Sequence, residues 1–201
     1  MKTFQEVKTL NRPRLVIEYD TDSQSPREND NIGFFLTDER NYNSPDGKDN
    51  RLYDLMNETA DEAENTADHI ERIKGAAKEE GMKIVAIYPV YRYEHGGVAY
   101  RRGSAKGFDY SNCGFYIITD ETLKNTIGKN DKKLIENGID AELKEYTQWA
   151  NGEVYRFTLY DESGEEIDGC GGFYDIEDIR GELPEEWKDE NLDEYLNYKE
   201  D

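Results

Sequence analysis

Two pairs of strand-length apolar runs are joined by turns too short to carry a crossover helix, and this limits the sheets the chain can build. Residues 82–93 reach residues 97–102 across His95-Gly96-Gly97, and residues 153–160 reach residues 166–174 across Asp161-Glu162-Ser163-Gly164. Such turns return a strand antiparallel to its predecessor, whereas parallel neighbours need about a dozen or more connecting residues. Residues 14–19, 32–36 and 112–119 are further strand-like runs, and the first two of these are expected to pair across the turn-rich stretch between them. Apolar residues at helical spacing (Leu52, Leu55, Met56, Thr59, Ala63, Ala67, Ile70, Ala77), stopped by Gly81, predict one long amphipathic helix. Ile135, Ile139, Leu143, Tyr146 and Ala150, ending at Asn151-Gly152, predict another, and Asp120 is expected to cap a short helix. The predicted fold is α+β: a largely antiparallel sheet built from hairpins, covered by two amphipathic helices, with an acidic C-terminal helical tail. Residues 1–178 are expected to form a single domain. Residues 179–201 read as an extension anchored by Leu183, Trp187, Leu192, Tyr195 and Leu196.

Charge indicates what the surface is for. Forty-six Asp and Glu face 25 Lys and Arg, a formal charge of −21, while 15 Tyr, 7 Phe and 2 Trp supply the bulky packing that disordered acidic chains lack. So acidic a surface repels phosphate polyanions and anionic lipid, which disfavours direct binding to nucleic acid or membrane and favours basic protein partners. Residues 1–10 contain no apolar run of signal-peptide length, and nothing approaches the roughly 18 apolar residues of a membrane span, so a soluble intracellular protein is expected. Cys113 and Cys170 each lie beside glycine in a strand-like segment and are expected to be buried and reduced.

The motifs that resemble chemistry fall short of it. Asp20-Thr21-Asp22-Ser23-Gln24-Ser25 begins like a calcium loop, then places Ser25 where the sharp turn needs glycine and Asn31 where a bidentate Glu belongs. Ser25-Pro26-Arg27 and Asp30-Asn31 are instead expected to form a rigid turn, with Arg27 paired to a nearby acid. Gly103-Ser104-Ala105-Lys106-Gly107 lacks the order of a phosphate-cradling loop. With Arg92, Arg101 and Arg102 it forms a basic patch, expected mainly as an internal charge partner of the acidic tail. His69 and His95 are the only histidines, so a nucleophilic triad is hard to assemble, and no cofactor or metal is implied. On the long predicted helix, Asp54, Glu58, Asp61, Asp68 and Glu79 fall opposite Ala63. Asp54 to Asp68 would span about 21 Å, with acids on the order of 5 Å apart. Each strand of duplex DNA carries a phosphate per about 3.4 Å, so a rigid row of this kind can imitate its charge density.

Several segments in order resemble a family of acidic proteins, most without an assigned activity, encoded by tailed bacteriophages and related mobile elements. Ser25-Pro26-Arg27-Glu28-Asn29-Asp30-Asn31-Ile32-Gly33 resembles the family motif Ser-Pro-Arg-Glu-Trp-Asp-Asn-Leu-Gly, with Asn29 in place of tryptophan. Tyr93-Glu94-His95-Gly96-Gly97-Val98 is similar to its Tyr-Asp-His-Ser-Gly-Ile, and Phe108-Asp109 with Gly114-Phe115 to its Trp-Asp-Ser-Gly-Gln-Val-Gly-Phe. Glu153-Val154-Tyr155-Arg156-Phe157 and Cys170-Gly171-Gly172-Phe173-Tyr174 fit its two closing strands. Arg101-Arg102, Gly171 and the acidic tail depart from the pattern. The resemblance implies phage or prophage origin and expression in a bacterial host. It transfers no mechanism.

Together these readings lead to the expectation of a phage-encoded, non-enzymatic inhibitor of a nucleic-acid-handling defence system, a CRISPR effector or restriction complex, in the host bacterial cytoplasm. Its expected contacts with a basic nucleic-acid-binding host protein are Asp54, Glu58, Asp61 and Asp68 on the helix, and Asp189, Glu190, Asp193 and Glu194 on the tail. The alternative is a small-ligand or metal-dependent phage protein with Arg27, Asp30, Asn31, His95 and Asp109 converging at strand-end loops.

Overall fold

The computed structural model of the chain describes residues 13–39, 43–47 and 49–197. The N-terminal stretch read for a signal peptide and the last residues of the tail, 198–201, lie outside the described residues. The fold is α+β, with seven strands in antiparallel sheets among the described residues. There are two sheets where one was expected. The chain divides into two compact units, Gln24–Asn151 and Met1–Ser23 with Gly152–Asp201, so the continuous unit is inserted in the sequence of the other. This division replaces the expected boundary after residue 178.

In the Met1–Ser23 and Gly152–Asp201 unit, β1 (Arg14–Tyr19) pairs with β6 (Tyr155–Tyr160), which pairs with β7 (Glu166–Phe173). The expected pairing of residues 14–19 with residues 32–36 does not occur, because β1 is taken by β6 over six residue pairs from Arg14↔Tyr160 to Tyr19↔Tyr155. Period-2 alternation puts Leu15, Ile17, Phe157 and Leu159 on one face. Ile179, Leu183, Trp187 and Leu192 cover that face and complete the core. The acidic extension is therefore the second layer of a small α/β unit. It consists of one helical turn, α5 (Ile176–Ile179), and two 3-10 turns, Glu185–Trp187 and Leu192–Tyr195, rather than a continuous helix.

In the Gln24–Asn151 unit the strand order is β2 (Phe34–Thr37), β5 (Tyr110–Thr119), β3 (Ile84–Glu94), β4 (Val98–Arg102). The predicted β3–β4 hairpin is present, with Gly96 at φ +71° and the His95 N–H donating to the Gly97 carbonyl at 3.1 Å. Alternate residues serve opposite faces. Phe35, Val90, Tyr100, Tyr116 and Ile118 pack with Ile135, Ile139 and Leu143 of α4 (Lys132–Ala150). Leu36, Phe115 and Ile117 pack with Leu52, Leu55 and Met56 of α1 (Arg51–Ala60) and Ile73 and Ala77 of α2 (Thr66–Glu79). Each such buried side chain contributes about 1.5–3 kcal/mol. Gly114 allows β2 to approach: at its φ of +150° a Cβ would lie 2.0 Å from the Leu36 carbonyl oxygen. A short helix, α3 (Asp120–Asn125), follows β5, and its cap is Thr119 instead of Asp120.

The single long helix expected over residues 52–77 is two helices. α1 stops at Ala60, and Asn65 starts α2 by accepting from the Ala67 and Asp68 N–H groups. Cys113 is buried as expected, but Cys170 is exposed on β7, which corrects the reading of two buried thiols. Both are free thiols. No helix among the described residues is long and apolar enough to cross a membrane.

Candidate partner-binding surface

The break between α1 and α2 removes the continuous row of acids. Asp54 and Glu58 lie on α1, Asp61 caps its C-terminus, and Asp68 belongs to a separate helix. The row is also largely neutralised. Arg51 bonds Glu58 and Glu80 and lies 3.7 Å from Asp54, while Arg72 bonds Glu62 at 2.8 Å and Asp68 at 2.9 Å. Hydrogen bonds from these guanidiniums hold the Glu58, Glu80 and Asp68 carboxyls below their usual range. Asp61 and Glu79 have no ion-pair partner among the described residues.

Uncompensated charge lies elsewhere. Residues 152–201 contain 18 Asp and Glu against 4 Lys and Arg, so this quarter of the chain holds −14 of the total −21. The local fold explains how so many acids are displayed at once. Ile179, Leu183, Trp187 and Leu192 point into the core, and most of the acids between and beside them face solvent: Asp178, Glu182, Glu185, Glu186, Asp189, Asp193 and Glu194 are all exposed. Arg180 fixes this layer from within, donating through Nη1 to the Lys188 and Glu190 carbonyls and through Nε and Nη2 to Glu177. The hydrogen bond from Arg180 holds the Glu177 carboxyl below its usual range. Trp187 meets Tyr195 edge-on with centroids 5.1 Å apart. Of the four tail acids singled out from sequence, Asp189, Asp193 and Glu194 are exposed, whereas Glu190 is half-buried and accepts from the Tyr195 hydroxyl at 3.1 Å. Asp178, Glu182 and Asp193 have no ion-pair partner among the described residues, and the sequence reading had missed the first two.

The five residues of the alternative loop site do not meet. Arg27 is buried and bonded to Asp46, Asn31, Glu142 and the Gly33 carbonyl, and Ser25 Oγ accepts from its N–H. Asn31 donates to the Pro26 and Asn29 carbonyls. This is the rigid turn expected from sequence, with its arginine inside an ion-pair network. Burial opposes the Arg27 charge, but the Asp46 carboxylate and the hydrogen bonds to Asp46 and Tyr116 raise its pKa above the ordinary value, so it stays cationic. Asp30 is exposed, His95 sits in the β3–β4 turn, and the Asp109 carbonyl accepts from the Glu94 N–H. Arg27 lies over the Tyr116 ring, and Tyr110 marks the other end of β5, about 20 Å away at 3.3 Å per residue. Among the described residues no group of three or more His, Cys, Asp or Glu is placed to hold a metal ion.

Two members of the basic patch, Arg92 and Arg102, are paired within their own unit. Arg92 bonds Glu39 at 3.0 Å and Glu94 at 2.9 Å, and Arg102 bonds Asp140 at 3.0 Å. Burial raises the Glu39 pKa, Arg92 opposing it. Arg101 and Lys106 are exposed without an ion-pair partner among the described residues. Arg101 and Arg102 line a cleft of about 460 Å³ with Tyr91, Asp140, Lys144 and Thr147. Comparison with protein-family models, curated proteins and solved structures yields no match for the chain.

Proposed function

We propose that the chain is a phage-encoded, non-enzymatic inhibitor of a bacterial nucleic-acid-handling defence complex, a CRISPR effector or restriction complex, and that it acts in the host cytoplasm by offering carboxylates to a Lys/Arg-lined channel. The observation that carries the reading is the −14 of residues 152–201, together with the exposure of Asp178, Glu182, Glu185, Glu186, Asp189, Asp193 and Glu194 on the layer that covers the sheet. Channels for nucleic acid recognise backbone charge largely without regard to sequence, so an acidic protein surface can occupy them without copying base identity. The resemblance of residues 25–33 to the phage motif supports the setting. The acids of α1 and α2 become secondary, since Arg51 and Arg72 already engage Glu58 and Asp68.

The test is a pull-down by the intact chain from bacterial lysates expressing candidate defence complexes, eluted stepwise with salt and identified by mass spectrometry. Retention of one nucleic-acid-handling complex, released by salt and by competing duplex, is expected. Failure to retain any complex whose expression is verified would sink the reading.

A further inference from the structure

Among the described residues, the chain's own groups bond along the outer edges of β1, β2 and β4. Along β1, Ile17 bridges Leu196 in parallel and its carbonyl accepts from the Asn197 N–H at 2.7 Å. Along β2, Asp46 takes both sides of Phe35, its N–H donating to the Phe35 carbonyl and its carboxylate accepting from the Phe35 N–H, and Ser44 Oγ accepts from the Thr37 N–H. Along β4, Asn151 bonds both the N–H and the carbonyl of Val98, and Thr147 Oγ1 accepts from the Tyr100 N–H at 2.9 Å. No strand, helix or loop among the described residues pairs along the outer edge of β7. Residues 166–172 are all exposed, Ile167 at 53%.

Open edges of this length invite strand pairing, and proteins usually blunt them with charged side chains, lysine above all, with proline, with β-bulges or with a covering element. β7, Glu-Ile-Asp-Gly-Cys-Gly-Gly-Phe, has neither lysine nor proline. Its register shifts lie towards its two ends, leaving Asp168 to Gly171 in regular pairing with Leu159 to Arg156. Gly169 and Gly171 carry no side chain, and the Asp20 carboxylate lies against Gly171 where a Cβ would be. The two β7 N–H groups with side-chain partners are held by carboxylates, Gly169 by Asp168 and Gly172 by Asp20.

Charge selects the occupant. Glu162, Glu165, Glu166 and Asp168 are exposed at or beside the edge, in the segment that carries −14. A second copy would set two such surfaces against each other, and an acidic peptide would be repelled in the same way. We propose that β7 accepts an extended Lys/Arg-bearing segment of the partner protein as an added strand, the backbone supplying the pairing and the flanking carboxylates engaging its basic side chains. This rests on the reading of a basic protein partner and names where and in what conformation that partner binds.

The test titrates the intact chain with a blocked peptide, Lys-Val-Arg-Val-Lys-Val, and with the same peptide N-methylated at every internal residue, which retains the charge but removes the backbone donors. Affinity is read by calorimetry, and amide exchange at residues 166–173 by NMR. The plain peptide is expected to protect β7 amides and to bind about tenfold or more tightly than the methylated one. The Glu166→Gln, Asp168→Asn double variant should weaken it and flatten its salt dependence. Equal binding of the two peptides would overturn strand addition and leave the acidic-surface reading standing. Protection confined to other residues, binding of neither peptide at low salt, or a dimer that protects β7 without peptide would also overturn the proposal. Peptide binding at β7 with a failed pull-down would instead retain the edge and discard the defence target.

Discussion

The Arg27 guanidinium grips the Asp46 carboxylate through Nε at 3.1 Å and Nη2 at 2.6 Å, with its side chain only 4% exposed. The same fork reaches Glu142 on α4 at 2.8 Å through Nη1, and Glu142 in turn accepts from the Tyr116 hydroxyl and from the Ile32 N–H. One cation thus joins the Ser25-Pro26-Arg27 turn, the segment before α1, β5 and α4.

Removing that cation leaves two carboxylates largely shielded from water. Arg27→Met is expected to lower the stability of the Gln24–Asn151 unit by about 3–5 kcal/mol, measured by urea denaturation. Arg27→Lys should be clearly destabilising too, because an ammonium cannot reproduce the planar fork. Wild-type stability in the lysine variant would show that charge alone suffices.

The tail acts as core. Trp187 is 2% exposed, and Trp187→Ala is expected to cost about 3–5 kcal/mol and to release the amide protection of β1 and β6. Deleting residues 179–201 should have the same effect in full. Unchanged protection after the deletion would return the segment to the status of an appendage.

The outward acids should matter for binding and little for folding. Replacing Glu182, Glu186, Asp189 and Asp193 by their amides is expected to weaken capture of the partner by tenfold or more, on the order of 1.4 kcal/mol, and to flatten its salt dependence. The same treatment of Asp54, Glu58, Asp61 and Asp68 should cost less, since Arg51 and Arg72 already hold Glu58 and Asp68. A larger loss from the helix set would reverse this assignment.

Stability should respond to pH in two opposing steps. Burial raises the Glu39 pKa in the folded chain, so its ionisation disfavours folding, and the stability it contributes at low pH is lost as pH rises from the ordinary carboxylate range through the raised value. Hydrogen bonds from Arg51, Arg72 and Arg180 lower Glu58, Asp68 and Glu177, and their contribution, small because they are exposed, is lost as pH falls below the ordinary range. Acidification from neutrality into the raised Glu39 range is expected to add stability, and Glu39→Gln should remove that part of the gain. Identical pH profiles for the two proteins would eliminate Glu39 as the source.

The thiols should separate by accessibility. Cys170 is exposed and is expected to react promptly with a thiol reagent in the native chain, while Cys113 is buried, its thiol pushed up by desolvation, and should react only on unfolding. Two prompt equivalents would contradict the burial of Cys113.

Local pattern made the strands legible, and long-range pairing escaped it. Both hairpins, the helical face from Ile135 to Leu143 and the turn built around Arg27 follow from short-range spacing and turn chemistry. The partner of β1 does not, because Tyr19↔Tyr155 closes over more than a hundred residues and no local signal encodes it. The helix break had a signal in Asn65-Thr66-Ala67-Asp68, an N-cap with an acid in the first turn, which the continuous apolar spacing obscured. Trp187 and its neighbours were legible as anchors. That they close a core, and so turn the intervening acids outward, depends on a sheet whose strands come from distant parts of the sequence.

The insertion of one unit within the other also sets an order of events during synthesis. Once residue 151 has left the ribosome, every strand and helix of the Gln24–Asn151 unit exists, while β1 still lacks β6. Domains generally fold as units during synthesis, so the ion-pair network around Arg27 is expected to form first, while β1 awaits β6. The carboxylate display assembles only when Leu183, Trp187 and Leu192 arrive to cover Ile17 and Phe157. A chain interrupted before residue 183 would leave Ile17 and Phe157 uncovered and would lack most of the acids that the covering layer displays.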